Sequence, residues 1–453
     1  MEEETQLVPE EEAAEVVEEV APPEVEEAIP IPPAPPPRRG CLSRIGFLLL
    51  GGLGASLLTV AVGLVEPVAR AAIADPGHTA LLRAASRPSI AVLEVTVVLA
   101  ALVFLFGLLS DYITRGAVLA LGTLLGVIAF AIAHLNLSGW PAVARWITWE
   151  TAFWLMQVGL LAYFLNLVHL AFLPRLRATL LGLYLTLGSL ATYQGYRWLF
   201  PQFGRNPGRT EWIGAGLLLV GFFLAGLMML VVFLLERAGG EVQEAEAPSR
   251  LKMRTLLPAL LVLAVLYGSV ALAWEALPAF FRQELRFSRA AWPRAQELYA
   301  LFGGIALLGG LLSDLVEWLM ERLVEVSLGR RSVAALGALL MVLAGGAYLV
   351  IGAERPLAIL VGVMGGGMAF VMVGVLASVG DVMRARRSGL AAGLVYAVAL
   401  GTAAGLRFAY VRLWANRLTT ALFIVLLLAG AGLVLSILWT VIGLVTARPH
   451  TAE

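Results

Sequence analysis

The chain has a single cysteine, Cys41, and a single lysine, Lys252, among its 453 residues. One cysteine excludes an internal disulfide and any metal site built on thiolates. The four histidines stand apart from one another and form no cluster with carboxylates, so no metal centre is expected. No nucleophile motif and no glycine-rich phosphate loop is present. An enzyme, a resident cofactor and a nucleic-acid partner are therefore not expected. Charge is scarce too: Asp, Glu, Lys and Arg make up 14% of the chain, against 60% hydrophobic residues.

What the chain has is apolar length, with a mean hydropathy of +0.86. A membrane-spanning helix needs roughly 20 apolar residues. About twelve such runs can be read, near 43–65, 89–110, 117–136, 150–173, 179–200, 213–235, 255–276, 295–313, 332–352, 356–378, 388–410 and 418–446. Pro67, directly after Glu66, reads as the end of the first helix. Residues 1–42 are acidic and then proline-rich, too poor in apolar surface to order themselves. They read as a cytoplasmic tail, with a docking arm for a protein partner as the alternative. Basic residues are modestly enriched on the tail's side of the membrane, which places both termini in the cytoplasm of a multi-pass protein of the cell membrane.

Gly-Leu-Leu-Ser-Asp occurs twice, at 107–111 and 310–314. Used as a ruler, this repeat brings Glu94 onto Glu297 at the same offset of 203 positions. Slightly longer offsets bring Glu66 onto Glu275 and Arg197 onto Arg407. Carboxylates at matched depth in two halves are unlikely by chance, because each is expensive to bury. The chain thus reads as two parallel six-helix repeats: a first bundle over 43–235, a polar cytoplasmic linker over 236–254, a second bundle over 255–446 and a short tail over 447–453. Residues 314–331 form an inserted amphipathic segment, expected along the membrane face or as an extension of the eighth helix.

The first copy continues as Gly107-Leu-Leu109-Ser-Asp111-Tyr-Ile-Thr-Arg115-Gly-Ala-Val-Leu119-Ala-Leu-Gly122. This resembles the motif that follows the second helix in the major facilitator superfamily, with Tyr112 and Thr114 replacing its first Arg and inner Gly. The resemblance covers residues 43–446. It implies an all-α membrane protein of about twelve helices in two pseudo-symmetric bundles. It also implies an inner latch of Gly107, Asp111 and Arg115 in the first copy, and Gly310, Asp314, Arg330 and Arg331 in the second, with the first copy the stronger. Helices that face one another in this fold imply an outer gate of two cross-pairs, Glu94 with Arg407 and Glu297 with Arg197. Glu66 and Glu275 become candidate proton-coupling sites. Trp154, Gln157, Tyr163, Asn166, Tyr267, Trp274 and Met368 become candidate cavity residues, suited to an apolar or amphipathic solute. The family's proline-containing antiporter motif is absent from the fifth helix. The expected function is a secondary transporter of small organic solutes working by alternating access. The alternative is a non-transporting assembly factor of the same fold, docking through its tail and inserted segment.

Overall fold

The computed structural model describes residues 41–113, 115–132, 138–170, 176–239, 250–288, 290–323, 328–350, 353–383 and 387–446. The acidic tail and most of the expected linker lie outside the described residues. The first half of the chain forms α1 (Cys41–Ala69), α2 (Asp75–Ala84), α3 (Pro88–Tyr112), α4 (Arg115–Ala131), α5 (Trp140–Leu170), α6 (Arg177–Gln194), α7 (Phe200–Arg205) and α8 (Pro207–Gly239). The second half forms α9 (Arg250–Gln283), α10 (Ala291–Gly303), α11 (Ala306–Leu323), α12 (Gly329–Tyr348), α13 (Glu354–Val382), α14 (Ser388–Ala409) and α15 (Leu418–Thr446). No strand occurs among the described residues.

Three pairs run on as single rods. α1 passes into α2 through a π-helical turn at Arg70–Ala74, α6 into α7 through another at Gly195–Leu199, and α10 into α11 across Gly304 and Ile305. The fifteen helices therefore make twelve rods, matching the twelve apolar runs. Among the described residues, eight helical stretches are long and apolar enough to cross a membrane, from Gly52–Ala84 to Leu418–Leu444. In a bilayer only such internally hydrogen-bonded segments are viable. The chain is a multi-pass membrane protein.

One local expectation is corrected. The first rod does not end at Pro67 but carries the helix through it. A Cβ on Gly195 of the fifth rod would lie 2.6 Å from the Leu64 carbonyl oxygen and 3.0 Å from the Pro67 ring. Close packing of these two rods overrides the local breaking tendency of proline. Of the two placements expected for the segment after Asp314, its described part takes the extension of the eighth helix: α11 continues to Leu323. Glu317 then accepts a hydrogen bond of 2.7 Å from the Gly329 N–H, so an acid of the expected insertion caps the start of α12.

Helices from opposite halves cross where the repeated motif supplies glycine. α3 packs on α14, and α6 packs on α11. A Cβ on Gly107 would sit 2.5 Å from the Cα of Gly393, and one on Gly310 would collide with the carbonyl of Ala178. Small residues allow backbones to approach this closely in membranes.

Candidate functional site

Every helix starts with unsatisfied N–H groups, which are expensive in the absence of water. Neither α6 nor α14 caps itself: the N-cap residues are Leu176 and Arg387, without side-chain cap bonds. Each is capped by an aspartate from the other half of the chain. Asp111, at the end of α3, accepts from the N–H groups of Gly389 (2.7 Å) and Leu390 (2.8 Å) at the start of α14. Asp314, on α11, accepts from the N–H of Ala178 (3.3 Å) and from both the N–H and the hydroxyl of Thr179 (2.7 Å each) at the start of α6. These are charge-assisted bonds placed at the positive end of a helix dipole.

Basic groups surround both caps, but unequally. Arg115 lies 3.7 Å from Asp111 and donates to the Ser388 hydroxyl at 2.8 Å. In the other copy, Arg177 of α6 and Arg330 of α12 both pair with Asp381 at the end of α13. Arg177 therefore bridges the halves. Arg331 leaves this group, donating to the Trp439 carbonyl at 3.2 Å with its guanidinium 5.8 Å from the Trp439 ring. This corrects two expectations. Arg331 belongs to the packing of α12 on α15, not to the latch. Among the described residues, the second copy carries three hydrogen bonds to Asp314 and two arginines on Asp381, where the first was expected to be the stronger. Asp381 was missed because it stands beyond the repeated motif, at the end of an apolar run. Its matching position in the first half is Ala171, so the ruler of equivalent residues passed over it.

At the other end of the rods the charges group differently from expected. Glu66 pairs with Arg70 at 2.9 Å and accepts from the Thr192 hydroxyl at 3.1 Å. Glu275 pairs with Arg407 at 2.9 Å. The expected pair of Glu94 with Arg407 is therefore not formed; Glu94 is exposed and makes no ion pair among the described residues. Arg407 follows α14 onto α9 of its own half because Glu275, one residue after Trp274, lies on the face of α9 that α14 covers. Glu297 and Arg197 do approach across the halves, at 3.6 Å, but Arg197 is 61% exposed and also donates to the Tyr193 hydroxyl oxygen at 3.0 Å. Glu66 and Glu275 are thus members of ion pairs and not isolated carboxylates.

The expected cavity residues divide. Trp154, Gln157, Tyr267 and Trp274 are half-buried. Trp154 stacks on Tyr396 of α14 with ring centroids 5.6 Å apart, and Gln157 accepts from the Tyr184 hydroxyl at 3.1 Å. Trp274 packs against Tyr299 and Trp292 and lies 5.8 Å under the Arg70 guanidinium from the other half. Tyr163, Asn166 and Met368 are corrected: at 6%, 6% and 5% exposure they belong to the packed interior. Tyr163 and Asn166 lie toward the latch end of α5, and Met368 lies midway along α13. A further joint was not foreseen. At the break between α10 and α11, the Thr186 hydroxyl of α6 donates to the Gly304 carbonyl (2.9 Å) and accepts from the Leu307 N–H (2.8 Å). Among the described residues, no group of three potential metal ligands is present.

No protein-family model matches the sequence, and no curated protein matches it. Solved structures do match. A bacterial homologue of the iron transporter ferroportin, in its outward-facing state, aligns over 87% of this chain and 99% of its own at 16% identity, with a TM-score of 0.61. The human organic anion transporter MFSD10 aligns over the same shares at 16% identity and a TM-score of 0.60. The transporter FucP, in its outward conformation, does so at 12% identity and 0.54. The chain has the major facilitator superfamily fold. Within that fold, rods 2 and 11 are α3 and α14, and rods 5 and 8 are α6–α7 and α10–α11. The trans caps therefore fall on the two pairs of rods that the resemblance had set face to face.

Proposed function

We propose that this protein is a secondary transporter of a small organic solute, working by alternating access with both termini in the cytoplasm. The observation that carries this reading is the pair of trans caps. The groups that close one end of the molecule are hydrogen bonds between halves, at chemically equivalent places, to helix ends that water can cap equally well once they part. Such contacts separate cleanly, unlike an apolar seam, and they bias a two-state element. With Asp111 and Asp314 engaged, the latch end is shut and the solute enters from the opposite side. There the half-buried side chains of Trp154, Gln157, Tyr267 and Trp274 face the space between the halves. Glu66–Arg70 and Glu275–Arg407 provide charge pairs in the wall that a bound solute or a proton can displace. The assembly-factor alternative loses one of its supports, since the inserted segment is spent on extending α11 and capping α12.

A direct test uses Ser110→Cys with Ser388→Cys in a Cys41→Ser background, because these residues precede Asp111 and Gly389, which are joined where α3 meets α14. Oxidative cross-linking in proteoliposomes is expected to be rapid at rest, to slow when a transported solute is added, and to abolish solute uptake once complete. Cross-linking that no solute alters, together with unchanged partner co-purification, would overturn the transport reading in favour of a scaffold.

A further inference from the structure

Glu150 is the carboxylate that the latches and charge pairs leave over. It lies ten residues into the 31-residue α5, about 15 Å from the start of that helix at 1.5 Å per residue, and is half-buried. Both of its oxygens are held, by neutral donors: the indole N–H of Trp146 reaches Oε1 and that of Trp154 reaches Oε2, each at 3.2 Å. It makes no ion pair among the described residues, in contrast to Glu66 and Glu275. A carboxylate withdrawn from water is costly unless it has a partner. Two indoles orient it without neutralising it.

The surroundings match a cationic partner. Trp154 carries its ring from Glu150 to Tyr396 of the other half, and His78 lies against Trp146 at 5.5 Å. α5 packs on α2 and on α14, and α14 in turn packs on α9, which carries Tyr267. Glu66 and Glu275 each have a guanidinium partner at 2.9 Å, and Glu150 has none among the described residues. Aromatic faces attract ammonium ions, most strongly where water is excluded. Resting on the transport reading above, the geometry points to a binding site for an organic cation, an ammonium compound with an apolar body, whose charge meets Glu150 and whose body lies on Trp154, Tyr396 and Tyr267 between the halves.

The test measures binding of benzyltrimethylammonium, which cannot lose its charge, to the purified full chain, by quenching of tryptophan fluorescence and by thermal shift. Benzenesulfonate serves as an anion of similar size. The ammonium ion is expected to bind and stabilise the protein, and the sulfonate to do neither. Glu150→Gln, which keeps the shape and one acceptor, is expected to weaken binding at least about tenfold. Trp154→Leu, which leaves the carboxylate in place, weakens it in the same direction and decides the matter if the Gln variant fails to fold. Equal or tighter binding of the sulfonate, no binding of the ammonium ion by folded wild-type protein, or unchanged affinity in both variants would overturn the assignment. The two readings fail separately. If the ammonium ion binds through Glu150 but never enters proteoliposomes, transport is wrong. If cross-linking responds to other solutes but no ammonium ion binds, only the cation site is wrong.

Discussion

Asp111 and Asp314 occupy the same place in two copies of one five-residue motif, yet they are not interchangeable. Among the described residues, Asp314 accepts three hydrogen bonds, one from the Thr179 hydroxyl, and Asp111 accepts two. A hydrogen bond to a charged group contributes about 1.5–3 kcal/mol. Asp314→Asn is therefore expected to open the latch end more than Asp111→Asn, read as faster alkylation of a cysteine placed at Ser110 or Ser388. Asp381 is the more severe site. It is itself 33% exposed but holds two arginines whose side chains are only 10% and 11% exposed, and taking an acceptor from a buried donor costs about 1–3 kcal/mol. Asp381→Ala should lower thermal stability in detergent by an amount in that range, and Arg177→Met in the same chain should restore part of it. Arg197, exposed, and Glu297, half-buried, are 3.6 Å apart and worth at most about 1 kcal/mol, and exchanging their charges should leave stability almost unchanged.

At the scale of the element, the notable helix is the eighth rod, broken at Gly304 and Ile305. Its partner in the repeat, α3, is continuous. The break leaves a carbonyl and an N–H that a single hydroxyl, Thr186, satisfies from the opposite half. Thr186→Val keeps the volume and removes both bonds, so it should cost about 1–3 kcal/mol. It should also raise hydrogen exchange at Leu307 selectively. That local readout separates a joint between halves from a general loss of packing. None of this was legible beforehand, since Gly303-Gly304 in an apolar run reads equally well as packing material. The rods themselves were legible, because apolar length in a bilayer leaves little choice of structure. Their ends were not: Pro67 argued for a stop that packing against Gly195 overruled.

For the whole molecule, the motif repeat located what lies on the symmetry and missed what departs from it. Asp111, Asp314, Gly107 and Gly310 were found because both halves hold them. Asp381 has no counterpart, and Arg407 turned to Glu275 of its own half although its equivalent Arg197 reaches across to Glu297. Pairing between charges depends on side-chain reach over a few ångströms, which a ruler of sequence offsets does not measure. The departures fall at both ends of the rods: around Asp381 at the latch end, and around Arg70, Glu150, Glu275 and Arg407 at the other. A binding site for an asymmetric solute has to break the symmetry of its container, and the unequal charges do so.

The trans caps have a consequence for how the protein is made. α6 is synthesised well before Asp314, which lies 135 positions after Thr179 in the chain, and Asp111 likewise waits 278 positions for Gly389. Until the second half enters the membrane, the start of α6 is left to water or lipid headgroups, and Asp111 has no helix to serve. The first half is thus an unfinished object during translation, with its open helix end held at the membrane surface. Insertion of the second half completes both ends at once, so the same four backbone amides that join the two halves also report that assembly is complete.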